Sequence, residues 1–257
     1  MRSSNPVLTT LPKASQEAGY GYSAPEAFEN QQAAPERPMT IDDVVTKTGI
    51  SLAVIIIAAV ASFFLTMSNP GLGMLLTIVG AIGGFITVMI SSFGNKAGAG
   101  LTITYAIFEG LFVGGLSNAF ASTTTNAIIG QAVLATVGVF IGMLFVYKTG
   151  AIRVTPKFNR VLTGMIIGVL VAGIGNLILW AFTGNNPLTD GGPLAIIFSL
   201  VSIVLAALSF LQDFDLADEM VRRGAPSKMA WGVALGLCVT LVWLYTEILR
   251  LLSYFED

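Results

Sequence analysis

Seven long apolar stretches, separated by short polar or turn-forming breaks, set the pattern of this chain. They run over Gly49–Met67, Leu72–Phe93, Ala99–Phe120, Ala127–Tyr147, Val161–Phe182, Leu194–Leu211 and Met229–Leu252. Each is close to the roughly 20 residues that cross about 30 Å of hydrocarbon as a helix. The breaks carry turn chemistry: Ser68-Asn69-Pro70-Gly71, Gly94-Asn95-Lys96, Thr123-Thr124-Thr125-Asn126 and Gly184-Asn185-Asn186-Pro187. A closed β-barrel would need short alternating segments instead of continuous apolar runs. The pattern therefore predicts an all-α integral membrane protein with seven transmembrane helices over 49–257.

Composition agrees, since 54% of residues are hydrophobic, 11% are charged and mean hydropathy is +0.78. Soluble domains carry roughly 25% charged residues, because their surface must be hydrated. Residues 1–48 differ: Pro6, Pro12, Pro25, Pro35 and Pro38 lie among polar residues with no apolar run long enough to pack, so a disordered tail is expected. Tyr20, Tyr22 and Phe28 are its only conspicuous docking candidates, and no cleaved secretory signal is expected at its start. The single cysteine, Cys238, has no intramolecular disulfide partner, and the absence of histidine excludes histidine metal sites and Ser-His-Asp or Cys-His catalysis.

Basic residues set the expected orientation. Arg37, Lys47, Lys96, Lys148, Arg153, Lys157, Arg160, Arg222, Arg223 and Lys228 fall on the N-terminal side of the predicted spans, and only Arg250 on the other. The positive-inside rule then places the N-terminus in the cytoplasm of a multi-pass cell-membrane protein and the C-terminus outside. Gly110/Gly114, Gly164/Gly168 and Gly232/Gly236 are small-xxx-small pairs that permit close helix packing. In the seventh span Gly232, Ala234, Gly236, Cys238 and Thr240 cover more than one face, predicting a central helix. Overpacking at Gly236 is accordingly expected to destabilise more than at Gly80.

A charge at the bilayer centre costs at least roughly 2.5–3.5 kcal/mol, so the few acids in or near spans are the candidate functional residues. Glu109 lies halfway along the third span; Asp213 and Asp215 lie where the sixth leaves the membrane; Glu247 lies in the outer part of the seventh. Each has a structural alternative. Glu109 could be a buried neutral acid, Glu247 a local partner of Arg250, and Asp218 and Glu219 surface partners of Arg222 and Arg223. Asn176 is expected to hydrogen-bond a neighbouring helix.

Phe210-Leu211-Gln212-Asp213-Phe214-Asp215, the basic loop after it, and Glu247-Ile248-Leu249-Arg250-Leu251-Leu252 resemble the transmembrane Bax inhibitor motif family, in its bacterial, YccA-like branch. Phe108-Glu109-Gly110 and Tyr147-Lys148-Thr149-Gly150 with Arg153 are similar to that branch too, and the likeness covers about residue 45 to the end. It implies seven helices with the last in the middle of the other six. It also implies a cytoprotective protein described as a pH-sensitive calcium leak channel, or in bacteria as a modulator of a membrane protease. The family's pH sensor is an aspartate pair, one ending the sixth helix and one inside the seventh. Asp215 matches the first, while the second falls at Thr240, so Asp213, Glu109 or Glu247 would have to replace the missing partner.

Two close carboxyl groups in a low dielectric cannot both ionise cheaply, so such a pair binds a proton or a cation. The expected function is a pH-modulated passive cation leak through Asp215, Asp213, Glu109, Glu247 and Thr240, with calcium as the permeating ion implied by the resemblance. The competing class is a non-transporting regulator acting on a membrane protein such as a protease. No enzyme activity, resident cofactor or nucleic-acid partner is expected; the identity of any metal site is open. A rhomboid-like protease needs a histidine, an intramembrane aspartyl protease needs a Gly-rich acid motif that is absent, and a retinal protein needs a lysine inside a span.

Overall fold

The computed structural model describes residues 37–94, 98–124 and 127–256, all helix and short connections. The helices are α1 (Ile41–Ser68), α2 (Pro70–Gly94), α3 (Ala99–Thr123), α4 (Ala127–Thr149), α5 (Pro156–Thr183), α6 (Pro193–Arg222) and α7 (Ala230–Ser253), the last preceded by a 3-10 turn over Ser227–Met229. All seven are long and apolar enough to cross a membrane. Their outward side chains confirm the solvent: Ile57, Leu134 and Phe182 are 70%, 75% and 86% exposed, a surface that lipid accepts and water does not.

Helix ends follow local chemistry. Thr40 caps α1 in a capping box with Asp43, whose carboxylate also accepts from Arg37 at 2.6 and 3.0 Å. Asn69 alone separates α1 from α2, because Pro70 cannot continue the hydrogen-bond ladder of α1 but suits the start of a helix. Thr155 caps α5 ahead of Pro156, and Gly184 ends it with φ +73°, a left-handed cap that glycine adopts without strain.

Two expected boundaries move. The polar segment expected to be unstructured to residue 48 holds the first turns of α1 from Ile41, and Arg37–Met39 are pinned beyond them: Met39 N–H donates to Ala225 at 2.7 Å and Ser227 N–H to Arg37 at 3.0 Å. Met39 is only 2% exposed. Residues 1–36, with Tyr20, Tyr22 and Phe28, lie outside the described residues. The sixth helix does not end at Leu211 but continues to Arg222, so Asp213 sits about 13 Å inside its C-terminal end. Hydropathy marks where the hydrocarbon ends; the helix goes on, stabilised by Asp218–Arg222 and Glu219–Arg223 pairs.

α7 is the central helix. Of its most apolar window 72% is buried, against 44% for α6 and none for α5. It packs chiefly on α1, α3, α4 and α6, whereas α2 leans on α3 and α5 on α6, so the surround is four helices and not six. Thr102 Oγ1 donates to the Trp231 carbonyl at 2.9 Å and Ser117 meets the Tyr245 hydroxyl at 2.8 Å, tying α3 to α7. Phe140 of α4 joins α6 through ring contacts with Phe210 and Phe214 at 5.3 and 5.6 Å.

The glycine expectations divide. Gly110 and Gly114 are close-packing positions: a Cβ on either would strike α1 at Ala58 or the Ala59 carbonyl. Gly164 and Gly168 face open space, with nothing among the described residues within 4 Å of a Cβ at either. Gly236 has room, its nearest neighbour being Asp213 Oδ1 at 4.0 Å, while a Cβ on Gly80 would come within 2.6 Å of backbone atoms of Phe108 and Phe112. The expected ranking of Gly236 over Gly80 is therefore reversed. Besides the α1–α3 contact, a crowded backbone contact lies between α2 and α3, where Gly80 meets the main chain of Phe108 and Phe112.

Candidate functional site

α6 and α7 meet through a short polar contact near the C-terminal part of α6. The Thr240 hydroxyl lies 2.7 Å from Asp213 Oδ2 and 3.2 Å from the Gly236 carbonyl on its own helix. Gly236, one turn before Thr240, leaves space beside the same carboxyl. This arrangement satisfies both protonation states. An ionised Asp213 accepts from Thr240; a neutral Asp213 donates to the Thr240 oxygen while the hydroxyl turns to Gly236.

Asp213, not Asp215, thus faces the Thr240 position. Asp215 is two residues further on, about 200° round the helix, and lies within electrostatic range of Tyr147 on α4. The Tyr147 hydroxyl itself makes a long 3.4 Å hydrogen bond to Asp218. The resemblance had put the first acid at Asp215; helical phase turns that residue to α4 and hands the α7-facing place to Asp213.

Glu109 approaches α7 from the other side. It lies near the middle of α3, one turn after Tyr105, within electrostatic range of Cys238 and against α2 at Gly84, where a Cβ would come within 2.7 Å of its Oε2. Cys238 is two residues from both Gly236 and Thr240 and so points to the opposite face of α7. Glu109 and Asp213 therefore stand at similar depth on two sides of one helix and do not form a pair. Among the described residues neither makes an ion pair.

Glu247 is separate again. It is 6% exposed and bonded through both oxygens to Arg250 Nη1, at 3.1 and 3.2 Å. Ser199 of α6 lies beside it. Tyr254 also adjoins Ser199, and burial, partly offset by the Arg250 charge, raises its pKa above the ordinary phenol value. Asn176, expected to reach another helix, instead closes the α5–α6 loop: its Nδ2 donates to Asn186 Oδ1 and its Oδ1 accepts from Leu188 N–H at 3.2 Å. The acids were legible as charges in apolar runs. Gly84 as the neighbour of Glu109 was not, because nothing in the sequence pairs that turn of α2 with that turn of α3.

Two cavities flank these groups. One, of about 420 Å³, is almost wholly apolar and lies between α1, α3, α4 and α7, with Ser117 and Tyr245 among its lining residues; the other, of about 250 Å³, lies between α5, the α5–α6 loop and Arg250. Neither is lined by Glu109, Asp213 or Asp215. Among the described residues no three acidic or cysteine side chains converge as a metal cage.

Comparison with known families matches residues 5–257 to the family described as Bax inhibitor 1 like. The match begins at residue 5, so it takes in the N-terminal segment that the sequence likeness had left out. No curated protein matches the chain. With seven helices long and apolar enough to span a membrane, the last of them the most buried, and a family match over nearly its whole length, the chain belongs to the Bax inhibitor 1 like family.

Proposed function

We propose that this protein is a passive, pH-modulated cation leak pathway, in which Asp213 and Thr240 at the α6–α7 contact form the pH-sensitive closure and Glu109 a second acid beside the central helix. The observation that carries the reading is a part-buried carboxyl between two helices, without a cationic partner among the described residues, joined by a 2.7 Å bond to a hydroxyl that can serve either protonation state. A structural ion pair would bring a lysine or arginine to the carboxyl, as Glu247 has Arg250. With both helices in contact the route is shut, and permeation requires α6 and α7 to part. Calcium is the ion the resemblance implies; it prefers carboxylate and carbonyl oxygens, which Asp213, Glu109 and the Gly236 carbonyl would offer in passing. The protein carries no resident cofactor in this reading and is not an enzyme. Its N-terminus is cytoplasmic, by the excess of basic residues at that end.

The second reading, a regulator of another membrane protein, draws on α5. Leu162 is the one buried residue of that helix, and its Gly164 and Gly168 face open space, a surface available to a partner helix. Calcium uptake into dye-loaded liposomes separates the two. A leak pathway gives uptake that Glu109→Gln reduces several-fold; a regulator gives none above empty liposomes, and that result would sink the leak proposal.

A further inference from the structure

The cavity of about 250 Å³ at the far end of the bundle has a one-sided hydrogen-bonding inventory. Its polar lining is Asn176, Trp180, Asn186, Thr189 and Arg250. The carbonyl oxygen of Asn186 is engaged by Asn176, and that of Asn176 by Leu188 N–H. What Asn186 has left to present is its amide N–H pair. Arg250 carries only donors; its Nη1 serves Glu247, and the residue lines the cavity.

A buried hydroxyl without a partner adjoins this array: Thr189 lines the cavity, and its Oγ1, just behind the cavity wall, makes no hydrogen bond. Tyr254 and Ser199 adjoin the Glu247–Arg250 pair. Buried hydroxyls left without partners ask for water, an ion or a ligand. Donors in excess around an arginine select an oxyanion, and the planar guanidinium suits phosphate.

Depth narrows the ligand. Trp180 on the rim is 53% exposed and lies one turn before the end of α5, the level at which aromatic side chains meet lipid headgroups. Below it Leu177, itself part of the lining, and Ile197 of α6 are 60% and 58% exposed, an apolar surface along which acyl chains can run. Glu247 offsets the charge of Arg250, so a singly charged phosphodiester suits the site better than a dianion.

We infer that the cavity between α5, the α5–α6 loop and the end of α7 binds a phosphate oxyanion, carried by a phospholipid headgroup or by a free phosphate ester, with the Arg250 guanidinium, the Asn186 amide and the Thr189 hydroxyl as donors. The inference does not rest on the leak reading, since neither Asp213 nor Glu109 lines this cavity.

The test is thermal stabilisation of the full chain in detergent by dihexanoyl phosphatidylglycerol, by the uncharged dihexanoyl glycerol and by inorganic phosphate. Phosphatidylglycerol should stabilise and the uncharged lipid should not. Stabilisation by phosphate at equal concentration identifies a free ester as the source; its absence identifies the lipid. Arg250→Gln also strips Glu247 of its partner, so the decisive variant is Asn186→Asp, which keeps the oxygen bonded to Asn176 and replaces the donor by an acceptor. It should weaken the response to phosphatidylglycerol by about tenfold or more, the scale of one charge-assisted hydrogen bond. Thr189→Val should weaken it less. Equal stabilisation by charged and uncharged lipid, or an unchanged response in a folded Asn186→Asp protein, overturns the proposal.

Discussion

Asp213 and Asp215 are two residues apart on one helix and differ in what they can do. Only Asp213 reaches α7, through Thr240. If titration of that contact gives the leak its pH response, Asp213→Asn should flatten the flux–pH curve, while Asp215→Asn should leave its shape unchanged. Thr240→Asp should shift the response toward neutral pH, because it puts a second carboxyl within hydrogen-bonding distance of the first. Gly84→Ala tests Glu109 without touching its charge. The new methyl must displace the carboxyl, since it would otherwise come within 2.7 Å of Oε2, so flux should change while the protein stays folded. These assignments mark how far the residues could be read in advance. That Glu109 and Asp213 matter follows from carboxyls in apolar sequence; which acid faces Thr240 depends on the phase of one helix against another, which sequence spacing does not state.

At the level of elements, the buried character of α7 was readable because its small residues cover several faces, and a helix with no lipid-facing stripe must be enclosed. The extents of α1 and α6 were not, because their polar ends lie beyond the hydrocarbon and are held by caps and i,i+4 pairs that hydropathy does not register. The cap of α1 gives one measurable consequence. Thr40→Ala removes the side-chain acceptor for Asp43 N–H and should cost about 1 kcal/mol in unfolding measurements. The α2–α3 contact gives another. Gly80→Ala should lower thermal stability in detergent by an amount equivalent to about 1–3 kcal/mol, and Gly236→Ala by clearly less, since only Gly80 is met by backbone that cannot move aside. Equal losses would mean that α2 and α3 approach less closely than described.

For the whole molecule, the N-terminal segment and the α6–α7 loop are tied at one end: Lys47 donates to the Ser227 carbonyl and stands 5.7 Å over the Trp231 ring, and residues 37–39 pair with 225–227. Reporters inserted in the α4–α5 loop or after Arg223 should therefore read on one side, cytoplasmic by the proposed orientation, and a reporter after Asp257 on the other. The seven-helix count was legible from apolar lengths alone, while the separation of Asp213 from Glu109 by α7 depends on the packed bundle. That separation leaves Asp213, and not Glu109, as the acid bonded to Thr240 across the α6–α7 contact. The most direct test of the account is therefore calcium flux into liposomes containing the full chain, measured between about pH 5 and 8 for the wild type and Asp213→Asn, with folding checked by thermal melting. The account predicts wild-type flux that changes across this range and a folded variant whose flux does not. A wild type without flux, or a variant that keeps the wild-type pH profile, would contradict it.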